Sequence, residues 1–209
     1  MGQASLPEFD WRRPQTFLSL AMAASTSPRA FFAAMPTGGS LVPPMLFLVL
    51  AQFIPAVVQG LAQISQHGAN ALAGVVILLL KRLIYFLIFA DLIWVAARFA
   101  SRSQISFINT IRLFCYSSGI WIISAAVWVL SPAPAALVFV VVILYHLYLV
   151  QVGLQVVANL PTFPAMLAVL LALVAFVMLW IFVAPMLGLM PVTMPPGAMI
   201  GGAPPAPQP

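Results

Sequence analysis

Residues 165–187 read AMLAVLLALVAFVMLWIFVAPML, twenty-three positions without one charged side chain. A helix needs about 20 apolar residues to cross the roughly 30 Å hydrocarbon core of a bilayer. This stretch is long enough to span one, and no face of it is polar enough to meet water. Moving outward from it, charge is absent all the way from Leu113 to Pro209. Four more apolar stretches of spanning length lie upstream, at 41–64, 80–99, 108–130 and 135–157. The sequence therefore predicts an all-α fold, a polytopic membrane helical bundle with five transmembrane helices. Composition agrees: of 209 residues 64% are apolar and 5% charged, against about 25% charged in a soluble domain. A soluble enzyme is excluded, and so is intrinsic disorder, which needs low hydrophobicity and high charge.

The breaks between the stretches are turn-forming. Ser65-Gln66-His67-Gly68-Ala69-Asn70, Ser131-Pro132-Ala133-Pro134 and Asn159-Leu160-Pro161-Thr162-Phe163-Pro164 all stop helices. Such short loops make antiparallel neighbours. Arg12, Arg13 and Arg29 precede the first span, and Arg98, Arg102 and Arg112 lie between the second and third. Basic residues near span ends mark cytoplasmic loops, which predicts a cytoplasmic N-terminus and a C-terminus outside. Lys81 and Arg82 interrupt the second apolar run. A basic residue at mid-bilayer costs about 2.5–3.5 kcal/mol, so both are expected at the outer interface. Residues 71–80 then form either a helical extension or a re-entrant piece.

Residues 1–40 read as a cytoplasmic N-terminal segment with one or two interfacial helices. Arg12-Arg13 before Phe17–Ser25 has the look of a twin-arginine signal, but Glu8 and Asp10 crowd a region that should be basic. A helix lying in the interface plane is the reading preferred here. A second helix follows, with Ser27 as N-cap, Pro28 at its first position and Phe31-Phe32 dipping into lipid. Gly38-Gly39-Ser40 hinges into the first span. Residues 188–209, rich in Pro, Gly and Ala, read as a flexible tail.

Polar residues inside the spans are the functional candidates. Gln52, Gln59 and Gln63 share one face of the first helix, with Pro55 between them. In the fourth span Tyr148, Gln151, Gln155 and Asn159 form a second stripe, with Tyr145 and His146 one turn deeper. These stripes either glue helices together by hydrogen bonds or line a hydrated path for a small polar solute. A lipid-headgroup site is a third reading. Asp91 is the only acidic residue in the membrane part. An intramembrane ionisable group calls for a named partner. Arg98 on the same face and Arg112 on the next helix are the candidates, with a proton relay as the rival role. Cys115-Tyr116-Ser117-Ser118 lacks a base nearby in sequence, so its small residues read as packing. One cysteine and two separated histidines, His67 and His146, predict no disulfide, metal or cofactor.

The order of several motifs resembles the Yip family of membrane proteins (Ypt/Rab-interacting-protein-like), in its bacterial branch. They are Pro28-Arg29-Ala30-Phe31-Phe32, Gly38-Gly39 before a Pro-started span, Phe107–Ser118 with Arg112 ahead of Tyr116-Ser117, and Val152-Gly153-Leu154 closing the fourth span. The resemblance covers residues 28–187. It implies five spans, an N-terminus inside, a bacterial inner (plasma) membrane and no catalysis. Pro164 stands where similar proteins carry a basic residue. The acidic, aromatic N-terminal segment linked to small GTPases is missing, so GTPase contact is not implied. The function expected is helix association with itself or another membrane protein, in membrane organisation or trafficking. A small transporter or channel subunit with a polar path between the first, second and fourth spans is the alternative. The bilayer is the expected environment and partner, and nucleic acid is not.

Overall fold

A computed structural model describes residues 8–67, 70–101, 105–128 and 132–186. Helices account for its regular structure: α1 (Gln15–Thr26), α2 (Pro28–Ala34), α3 (Val42–His67), α4 (Asn70–Ser101), α5 (Phe107–Ser117), α6 (Pro132–Val157) and α7 (Thr162–Met186). The chain continues from α5 without a break as a 3₁₀ segment, Ser118–Trp128. Among the described residues no strand occurs. Five helical stretches are long and apolar enough to cross a membrane: Val42–Ala62, Ala73–Ala100, Phe107–Val127, Pro134–Val157 and Thr162–Phe182. The tail expected over 188–209 lies outside the described residues. The chain divides into two compact units, Met1–Phe176 and Val177–Pro209; of the second, the described residues continue α7.

α5 and its 3₁₀ continuation form the most buried of the five spans. α3 and α6 both pack on them, and α4 packs on α3 and α5. Glycine sets the closest approach: a Cβ on Gly153 of α6 would stand 2.6 Å from Leu113 Cγ and Cδ1. The 3₁₀ run is long for a geometry that rarely exceeds one turn. Serine hydroxyls support it, since Ser117, Ser118 and Ser124 donate to the carbonyls of Phe114, Cys115 and Trp121, three residues back.

α4 is one helix from Asn70 to Ser101, so residues 71–80 are a helical extension rather than a re-entrant loop. α3 likewise runs through Pro55.

The N-terminal helices differ from the interfacial pair expected. α1 buries Phe17, Leu20, Ala21 and Ala24 against α5 and the 3₁₀ segment. Phe31 and Phe32 do not face lipid. Both are buried within the protein, edge to face with one another, and Phe31 meets Tyr116. Aromatic faces and small residues on the third span offer better contacts than acyl chains do. Ser27 occupies the N-cap position and Pro28 the first turn, but the Ser27 hydroxyl makes no capping bond.

Candidate functional site

Two polar centres occupy unit Met1–Phe176. The first is built on Arg112, one and a half turns into α5 and fully buried. Its Nη1 donates to the Glu8 carboxylate, in an ion pair, and to the Pro36 carbonyl at 3.4 Å. Nη2 donates to the Ser40 carbonyl. One guanidinium thus ties down the segment before α1 and the linker between α2 and α3. Gly39 makes this possible: its φ of +92° belongs to the region that favours glycine, and a Cβ there would stand 3.4 Å from Arg112 Nη2. A buried arginine without a carboxylate would be an uncompensated charge, so Glu8 is what makes the position tenable.

The second centre surrounds His146. α6 inserts this imidazole between Phe86 of α4, Phe114 of α5 and Trp121 of the 3₁₀ segment, with ring centroids 5.6, 5.0 and 6.0 Å away. Nδ1 lies 3.2 Å from the Ser117 carbonyl. Since a carbonyl only accepts, Nδ1 carries the hydrogen in this contact. Nε2 has no hydrogen-bond partner among the described residues. The arrangement joins three elements through stacked edges. Among the described residues no nucleophile or carboxylate meets the ring to make it a catalytic pair.

The glutamine stripes do not converge. Gln59 accepts from Arg82 Nη2 at 3.1 Å, joining α3 to α4. Gln155 accepts from Arg29 Nη2 at 2.9 Å, joining α6 to α2. Tyr145, on the same side of α6, donates its hydroxyl to the Ser25 carbonyl at the end of α1. Gln52 is fully buried and neither of its amide atoms has a partner among the described residues. Gln151 is half-buried and Tyr148 exposed, its ring 5.6 Å from that of Tyr145. Asn159 serves the backbone: at φ +55° it follows the end of α6, where Leu160 N returns to Leu154 O. Gln63 lies on α3, its side chain outside the described residues.

Asp91 is exposed on α4 and, among the described residues, makes no ion pair. Neither expected partner reaches it. Arg112 is engaged by Glu8, and Arg98 stacks over Trp94, 5.1 Å from the ring centroid. Trp94 in turn donates to the Ile105 carbonyl. The residues that sequence reasoning missed are Glu8 and the aromatic collar of Phe86, Phe114 and Trp121. Glu8 carried one usable signal: the chain has three acidic side chains, and a span-embedded arginine needs one of them.

The order of these elements is that of a known family, and the family model of the Yip1 domain matches residues 22–184. The chain belongs to the Yip1 family. It is a multi-pass membrane protein of that type, and the family is a non-enzymatic one. The matched region takes in α2, the Gly39 linker and all of Arg112's partners except Glu8. No curated protein and no solved structure matches the chain.

Proposed function

We propose that this Yip1 protein works without catalysis, through association of its membrane helices with another membrane protein, in the organisation or trafficking of a bacterial inner membrane. Asp91 carries the reading. It lies nine residues after Arg82 and seven before Arg98 on α4, about 13 Å from one and 10 Å from the other along the axis. That is midway between the two arginines, on a face shared with exposed Ile84 and Val95. A carboxylate facing acyl chains at that depth costs about 2.5–3.5 kcal/mol. Side chains of this kind pair with another group in the membrane, and the described residues of this chain supply none. A second copy related by a twofold along the membrane normal would bring carboxylate to carboxylate. A different helix with a basic or amide donor at mid-depth is the complementary partner.

Asp91→Leu tests this directly, because an exposed position with no ion pair or side-chain hydrogen bond among the described residues leaves folding intact. The wild-type chain, solubilised mildly from native membrane, is expected to migrate as a complex and to form crosslinks from photoreactive groups at Ile84 and Val95. Asp91→Leu is expected to lose both while keeping its melting temperature in detergent. Complexes of unchanged size and crosslinks of unchanged yield would overturn the reading.

A further inference from the structure

The contacts of α1 and α2, followed in chain order, trace a path into the bundle and out again. Helix rise converts each contact into depth, at 1.5 Å per residue in α-helix and 2.0 Å in 3₁₀. Glu8 meets Arg112, about 8 Å from the Phe107 end of the third span. Phe17 packs on Phe47, about 8 Å from the Val42 end of α3. Ala21 then lies against Gly119, where an added Cβ would stand 3.0 Å from its own. Gly119 is about 19 Å from Phe107 in a span of about 37 Å. Ser25 takes the Tyr145 hydroxyl, about 18 Å from the Val157 end of α6. On the return Arg29, the one charged residue of α1 and α2, extends toward the side of entry to reach Gln155 near the end of α6, Phe31 meets Tyr116 at about 14 Å, and Pro36 and Ser40 come back to Arg112.

Phe107, Val42 and Val157 all lie on the same side of an antiparallel bundle. The geometry therefore points to a re-entrant hairpin: α1 and α2 enter from that side, turn at Ser25–Ser27 about halfway through the membrane, and leave where they entered.

The chemistry of α1 fits acyl chains. The helix contains no charged residue, and Asp10, Arg12 and Arg13 all precede it. Leu18 and Met22, one turn apart, are exposed on its outer face. Two of its hydroxyls are satisfied within the helix, as a lipid surround demands. Ser19 donates to the Thr16 carbonyl and Thr26 to that of Met22. The apex carbonyl of Ser25, an orphan of the helix end, is taken by Tyr145. The occupant of the Leu18–Met22 face is the acyl region of one leaflet. The hairpin adds two helices to that leaflet and none to the other, a wedge that favours membrane curved toward its own side. This rests on the reading of a protein that acts through its membrane body. The hairpin and the Asp91 face are separate surfaces, so either can fail alone.

The test uses the full chain with Cys115→Ala and one new cysteine, Trp11→Cys, Leu18→Cys or Met22→Cys, labelled with an environment-sensitive fluorophore in phosphatidylcholine–phosphatidylglycerol vesicles. Lipids brominated at mid-chain are expected to quench the labels at positions 18 and 22, which aqueous iodide does not reach. The label at position 11 is expected to respond to iodide. Iodide quenching at 18 and 22, without quenching by bromolipid, would overturn the re-entrant placement. The wedge is read separately, on tubes pulled from giant vesicles into which the chain is inserted from outside by cell-free synthesis. Insertion of that kind leaves the N-terminal side outward. Density on the tube about twofold above the parent vesicle is expected, and equal density would overturn the wedge.

Discussion

Arg112 and Glu8 behave as a unit because a guanidinium removed from water keeps its charge. Breaking such a pair from one side leaves that charge alone, at a cost of about 3 kcal/mol, whereas replacing both partners by apolar groups is close to neutral. Glu8→Ala is therefore expected to lower the melting temperature in detergent and to expose the N-terminal helices to protease. The double variant Glu8→Ala with Arg112→Met is expected to recover most of the loss in melting temperature. A double variant no better than Glu8→Ala alone would show that the pair is not what holds the segment. His146 contributes chiefly its ring. His146→Phe keeps the contacts with Phe86, Phe114 and Trp121 and gives up one hydrogen bond, at about 1 kcal/mol. His146→Ala opens a cavity and is expected to cost about 3 kcal/mol. The two variants should separate clearly in a thermal unfolding series.

Packing of elements depends on where side chains are absent. α6 approaches α5 at Gly153, and Leu113 opposite it is fully buried. Gly153→Ala is expected to destabilise by about 1–3 kcal/mol, the range for overpacking a filled core, with the change visible as a lowered melting temperature. Gly119 plays the same part for α1, wedged between Ala21 and Phe47. Gly119→Leu should force α1 off the third span and raise hydrogen exchange selectively over residues 15–26. The polar stripe of α6 belongs to this scale as well. Tyr145 and Gln155 hold the turn and the start of α2, so the stripe reads as the seat of the hairpin.

Across the first unit, the polar side chains are divided among separate contacts: Gln59 with Arg82, Gln155 with Arg29, Arg112 with Glu8. A solute path needs them in one file. Cysteines at Gln52 and His146, in the Cys115→Ala chain, are therefore expected to resist membrane-impermeant thiol reagents. Labelling at both would place water in the core and favour a transport role.

Span number and class were legible in the sequence because the bilayer imposes a length and an apolarity that each segment meets by itself. Residues 165–187 announce a spanning helix with no reference to their neighbours. Pro28 at a helix start and the Gly38-Gly39 hinge were legible for the same local reason. The partners were not. Which of three carboxylates meets Arg112, and whether Phe31 and Phe32 face lipid or Tyr116, depends on how helices far apart in sequence come together. Sequence alone determined that the chain lives in a membrane as helices, since that follows from transfer free energies summed along one segment. Only the tertiary structure decided that Glu8 satisfies Arg112, that Asp91 is left facing outward, and that α1 and α2 pack into the bundle, because those outcomes are set by contacts between segments.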